Sequence, residues 1–179
     1  ASSLVPPREF VAPLRARFGA LAAQHGLAVY EQLLPELDRL SFEHIAAALR
    51  ALGFDATPGR HFEAGDEAGR LGVVAAHRRL FGRLMAVLAE EGLLRRHEGG
   101  FEVLAALPTG QPEARYDALM ARFGDTDGEL RTLRRCGSEL ARVLRGEQDP
   151  LQLLFPGGSF DEARKLYVES PFAQTYNRA

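Results

Sequence analysis

The side chains best suited to moving protons are clustered early in the chain. His44 directly follows Glu43 and lies close to Glu36 and Asp38. A carboxylate next to an imidazole is the pairing used for general acid–base work. On a helix, however, successive side chains point in different directions, so Glu43 and His44 do not face each other. A structural part for both is the simpler reading. The histidines are His25, His44, His61, His77 and His97, and none stands at metal-ligand spacing from another histidine or from Cys136. No metal site is expected from that spacing. Cys136 sits in a helical run with nothing local to activate its thiol, and no GxSxG nucleophile motif occurs.

Two stretches could meet anions. LQLLFPGGS, residues 151–159, reads like a loop entering a helix N-terminus, where free amides attract negative charge. It lacks the lysine and the glycine spacing of a phosphate loop. A plainer reading makes Gly157 and Gly158 a turn and Ser159 the cap of a helix starting at Phe160, with Glu162 completing a capping box. Arg78, Arg79 and Arg83, with Arg95 and Arg96 nearby, could touch phosphates if their helix entered a DNA groove. The apolar face of that helix and the negative overall charge weigh against nucleic acid as a partner.

The elements that must position these residues follow from apolar periodicity. Phe10, Leu14, Phe18, Leu21, Leu27 and Tyr30 recur at helical spacing, with Gly26 a weak point, which predicts one or two short helices. The pattern continues through residues 33–40, with Pro35 best accommodated in a first helical turn. Ser41 is then expected to cap a new helix with Ile45, Leu49 and Leu52 as its buried stripe and Gly53 as its end. ATPGRHFEAGDEAGRLG, residues 56–72, is rich in glycine and charge without a period and reads as a loop. Leu80, Leu84, Val87 and Leu88 mark an amphipathic helix closed by Gly92, and LLRRHEGGFEVL reads as a hairpin turning at Gly99-Gly100. Helix, loop, helix, hairpin is the order of a winged helix. Beyond Pro112, helices are predicted at 113–123 and 129–144, the second facing inward through Leu130, Leu133, Cys136, Leu140, Val143 and Leu144. Residues 145–150 break it, LQLLF forms a short turn, and a further helix is predicted from Phe160 to Val168. The expected fold class is mainly α, with a winged-helix-like subdomain carrying a small β-hairpin.

The chain has 179 residues, enough to bury a core without disulfides or a structural metal. Its 46% hydrophobic and 26% charged content excludes a mostly disordered polymer. The balance of 22 basic and 24 acidic residues leaves a net charge of −2 and no broad attraction for nucleic acid or anionic lipid. No apolar run approaches the ~20 residues needed to cross a bilayer, and ASSLVPPREF reads as a linker rather than a signal peptide. With a single cysteine, a reducing cytoplasm is the expected compartment.

Four segments carry a resemblance: LLPELDRLSFEHIAAALRALGF, HRRLFGRLMAVLAEEGLLRRHEGGFEV, LRRCGSELARVLRGEQDPLQLLFPGGS and LYVESPFAQTYN. Together, from Tyr30 to Asn177, they resemble the N-terminal lid region of the carbon-methyltransferase domains of modular type I polyketide synthases. The most specific stretch is RCGSELARVLRGEQDPLQLLFPGGS.

The resemblance implies a helical lid ahead of an S-adenosylmethionine-binding core of Rossmann type, with donor and carrier-bound β-ketoacyl substrate meeting between the two. The glycine-rich donor loop is expected after Tyr176-Asn177, and the sequence stops at Ala179. No cofactor is therefore expected on this chain by itself, and S-adenosylmethionine is implied only for a core absent from it. Tyr176 and Asn177 would lie nearest that donor boundary. Residues 151–168 would be the hinge from lid to core, and 56–72 a mobile loop near a channel mouth. The expected division is a linker and N-terminal helix at 1–29, the winged-helix-like subdomain at 30–110 and the helical hinge segment at 111–179. Expected partners are the methyltransferase core, neighbouring synthase domains and an acyl carrier protein bearing its acyl chain, with no membrane. The chain is then a lid or lid-derived structural domain shaping an acyl channel. A rival reading is a small polyketide-modifying enzyme of cyclase or dehydratase type, with Tyr30, Asp38, His44, His77 and Tyr176 as its acid–base candidates. A winged-helix DNA-binding protein is the other.

Overall fold

The computed structural model describes residues 27–124, 127–159 and 164. The predicted helices at 10–26 and from 160 onward, with Tyr176 and Asn177, lie outside the described residues apart from Arg164.

The organising element is a single helix of 25 residues, α1 (Ala28–Leu52). This corrects the expectation of shorter helices divided near Ser41. Ser41 lies in mid-helix, and Pro35 sits inside α1 beyond its first turn. Proline there removes the donor that would serve the Glu31 carbonyl. Glu31 and Pro35 both face solvent, so water can take the donor's place. The interruption costs about 3 kcal/mol in an ordinary helix interior. It is offset by apolar burial on both sides, since Tyr30, Leu33, Leu40, Leu49 and Leu52 are all buried. The helix stops at Gly53 with φ 81°, where the Gly53 amide donates to Arg50 O at 3.0 Å and the Phe54 amide to Leu49 O at 2.9 Å. That is the glycine-terminated pairing in which Phe54 folds back onto the helix it follows.

After α1 come β1 (His61–Phe62), α2 (Ala64–Arg70), a short 3-10 turn at Ala75–His77, α3 (Arg78–Glu90), β2 (Leu94–His97) and β3 (Gly100–Val103). The sheet is antiparallel with order β1-β3-β2, His61 opposite Glu102 and Leu94 opposite Val103. The predicted loop at 56–72 is thus largely built into structure. Its sequence lacks a period because a polar group anchors it. Glu67, only 3% exposed, accepts from Arg60 and Arg70, while Ala68 beside it fills the core. The hairpin is present, but His97 pairs with Gly100, so its two turn residues are Glu98 and Gly99. Gly100 serves another purpose: its φ is 151°, and a Cβ there would lie 2.3 Å from the Phe62 carbonyl oxygen. Only glycine lets β1 approach that closely.

Next come α4 (Pro112–Phe123), α5 (Asp127–Ser138), α6 (Leu140–Leu144) and α7 (Pro150–Leu154), then a 3-10 turn at Pro156–Gly158. The predicted single helix at 129–144 is two, interrupted at Glu139. The two pieces face different interiors, Leu130 packing with Tyr30, Leu33, Leu40, Tyr116, Leu119 and Phe123, and Leu144 with the sheet and α3. The turn predicted at LQLLF is the helix α7, with Pro150 in its first turn and the Leu151 amide donating to Asp149 Oδ1 at 2.8 Å. The larger core lies under the sheet, built on Leu49, Phe81, Met85, Leu88, Phe101 and Val103. Because α1 runs through both interiors and packs on α4, α5 and α6, it fixes the helical bundle relative to the sheet.

Candidate functional site

Where α1 crosses α5, the His44 side chain packs directly against Gly137. A Cβ at Gly137 would fall 2.4 Å from His44 Cγ and 2.8 Å from His44 Cβ, so the crossing is as close as a missing side chain allows. His44 is 2% exposed, and its Nε2 has no hydrogen-bond partner among the described residues. Burial pushes its pKa down; Glu113 and Glu43 pull it up, Arg134 pulls it down, and the net shift is downward. The imidazole is neutral at pH 7 and screened from anything outside.

Polar groups surround this crossing. Arg115 donates through Nε to Glu43 Oε1 at 2.7 Å and pairs with Glu36 at 3.3 Å. These contacts line a cleft between α1 and α4 that also includes Gln111 and Arg122. On the other side of α4, Arg131, Arg134, Arg135 and Ser138 of α5 meet Glu113 and Tyr116 of α4 around an open cleft of about 590 Å³ that Pro156 also lines. Arg134 donates to Glu113 Oε2 at 2.7 Å and stacks over the Tyr116 ring at 4.7 Å. Arg135 donates to the Leu153 carbonyl, tying α5 to α7. Guanidinium groups beside a hydroxyl suit an anionic group such as a carboxylate or phosphate. The signal for this cleft was legible: 131, 134 and 135 fall on one helical face. Sequence reasoning sought anion contacts at residues 151–159 and at Arg78, Arg79, Arg83, Arg95 and Arg96 instead, and missed it.

The acid–base candidates among the described residues, Tyr30, Asp38, His44 and His77, are not brought together. Tyr30 and His44 are fourteen residues apart on one helix, about 21 Å of rise. Tyr30 is buried in the bundle, its hydroxyl donating to Glu129. Asp38 is exposed on α1, and His77 ends the 3-10 turn before α3. Cys136 is half-buried, and burial raises its pKa against the opposing pull of Arg135, so its thiol stays protonated. Of the arginines considered for phosphate contact, Arg83 pairs with Glu90 and Arg95 with Glu102, both at 2.6 Å, while Arg78 and Arg79 make no ion pair among the described residues. No described helix is long and apolar enough to cross a membrane.

Against this geometry stand the comparisons with known proteins. No family model matches the chain. It is 29% identical over 174 residues to 5-methylorsellinic acid synthase of Aspergillus terreus, covering 95% of this chain and 7% of that protein. It is 29% identical over 153 residues to the non-reducing polyketide synthase subA of Metarhizium robertsii, covering 83% of this chain and 7% of that protein. The chain therefore spans less than a tenth of the curated relatives it matches. Among solved structures, the CurJ carbon methyltransferase superposes with a TM-score of 0.85 at 32% identity, covering 96% of this chain and 46% of that one. The citrinin polyketide synthase CMeT domain superposes with a TM-score of 0.76 at 20% identity, over 99% of this chain and 48% of that one, and supports the fold alone. The chain has the mainly α fold of one part of polyketide synthase carbon methyltransferase domains. Its sequence is similar to a segment of multidomain polyketide synthases, as the four quoted stretches imply.

Proposed function

We propose that this chain is a lid-type structural domain from the methyltransferase region of a polyketide synthase, working in the cytoplasm beside the synthase's other domains. In this reading α1, α4 and α5 form one wall of an acyl channel, and the α4–α5 cleft with its arginines faces the carrier-linked substrate. Residues 30–110 act as a winged-helix-like subdomain used for protein contact, and 111–179 lead toward the core that holds S-adenosylmethionine. One observation carries the reading: almost the whole chain superposes on the CurJ carbon methyltransferase while spanning less than half of it. A domain of that kind contributes shape and exclusion of water rather than the reacting groups.

The test is incubation of the chain with an acyl-carrier-bound polyketide mimic, with and without S-adenosylmethionine, followed by intact mass spectrometry and chromatography of the released product. The expected result is an unchanged acyl chain in both arms, with slower hydrogen exchange along α4 and α5 when the loaded carrier is present. Transfer of a methyl group would overturn the lid reading, and loss of water or a shifted product peak would favour the modifying-enzyme rival. Unaltered exchange along α4 and α5 would remove the carrier contact.

A further inference from the structure

The sheet brings together two histidines that the sequence keeps 36 residues apart. We infer that His61 and His97 form a two-imidazole site for a divalent transition-metal ion on the solvent face of the sheet. His61 on β1 stands opposite Glu102, and His97 on β2 stands opposite Gly100. Residues 100 and 102 of β3 share a face, so both imidazoles rise on the same side of the sheet. Because Gly100 has no side chain, nothing on the central strand separates them. The rings meet with His61 Nδ1 3.3 Å from His97 Nε2, centroids 5.2 Å apart and planes at 61°.

That separation is the one a tetrahedral ion requires. With metal–nitrogen bonds of 2.0–2.1 Å, two ligand nitrogens at the tetrahedral angle lie about 3.3–3.4 Å apart. His97 is already oriented for the task. Its Nδ1 lies 2.8 Å from the Glu98 carbonyl oxygen and donates to it, which leaves Nε2 as a lone pair facing His61. Both side chains are exposed, so the rings can rotate and His61 can carry its proton on Nε2, which aims the two lone pairs at one point. Glu102, held by Arg95 through hydrogen bonds of 3.0 and 2.6 Å, places a carboxylate beside the pair. No cluster of three or more histidine, cysteine or acidic side chains placed to hold a metal occurs among the described residues. Water therefore completes the coordination sphere, and the site is open and exchangeable. Two nitrogen ligands select zinc, nickel or copper over magnesium or calcium. Bound there, the ion would clamp β1 to β2 across β3 and stabilise the sheet by mass action.

Calorimetric titration of the full chain with nickel chloride and with zinc chloride at neutral pH tests this. The variants are His61→Gln, His97→Gln, the double variant, and His25→Gln/His77→Gln as a control. One saturable equivalent is expected for the parent and the control, lost in either site variant, with far-UV circular dichroism showing the same fold throughout. Copper(II) electron paramagnetic resonance should show two nitrogen couplings in the parent and one after either single substitution. Absence of saturable uptake in the parent, or undiminished uptake in the double variant, would overturn the assignment.

Discussion

Substitution of Gly137 by alanine sets two effects of opposite sign against each other. Gly137 is the next-to-last residue of α5, where the interior preference for alanine over glycine, about 0.8–1.0 kcal/mol, sets an upper bound on the gain. The new methyl would arrive 2.4 Å from His44 Cγ, 2.6 Å from Cδ2 and 2.8 Å from Cβ. Carbon atoms pack best at about 3.5–4.0 Å, so α1 and α5 must part by roughly 1 Å. Rotating His44 does not relieve this, because its Cβ is itself too near, and the residue is 2% exposed with no room to retreat. Overpacking of that kind costs about 1–3 kcal/mol and sometimes more. The added crowding falls where both cores depend on α1, which places the cost at the upper end and makes the net change a loss of about 1–2 kcal/mol. For a chain of this length that is about 2–8 °C in Tm. Gly82 in α3 is the internal comparison: nothing lies within 4 Å of a Cβ there, so Gly82→Ala should raise stability by about 0.5–1 kcal/mol. Urea and thermal unfolding followed by circular dichroism measure both. If Gly137→Ala melts at or above the parent, helix propensity governs the site and the close crossing of α1 and α5 is refuted.

Two further outcomes concern charge and burial. Burial pushes the Glu67 carboxyl up, but hydrogen bonds from Arg70 and Arg60 outweigh it and hold its pKa below the ordinary 4.5. Glu67→Gln should therefore cost about 1–3 kcal/mol, the arginines being partly solvated and able to recover some hydration. Because the unfolded chain takes that proton more readily, the stabilisation is whole above the ordinary carboxylate range and lost as pH falls through the folded value. The gap between parent and variant in urea should accordingly close in acid, and a constant gap would refute the ion-pair account. Burial lowers the His44 pKa, the opposite of its effect on Glu67, so the folded value lies below 6.5 and the unfolded chain again binds the proton more readily. Its contribution is full above 6.5 and declines as pH falls below that value. His44→Leu, which also removes the orphaned Nε2, should flatten the dependence of the urea midpoint over that interval; an unchanged slope would show that another group titrates there.

Local signals in the letters determined much of this protein. The mainly helical class, the helix end at Gly53, the hairpin after α3 and the resemblance to polyketide synthase methyltransferase regions all rest on periodicity, glycine placement or quoted motifs. Such features depend on neighbours within a turn or two, so a sequence displays them directly. Other features depend on residues that meet only after folding. Pro35 is tolerated inside α1 because burial on both sides of it outweighs a missing hydrogen bond. The glycine-rich run at 56–72 is ordered because Arg60 and Arg70 close on Glu67 in the interior. The predicted helix at 129–144 divides at Glu139, with Leu130 in one core and Leu144 in the other, a partition that exists only after folding. His61 and His97 become partners only through the register of three strands. In each case the deciding energy comes from contacts between distant parts of the chain, to which local propensity is blind.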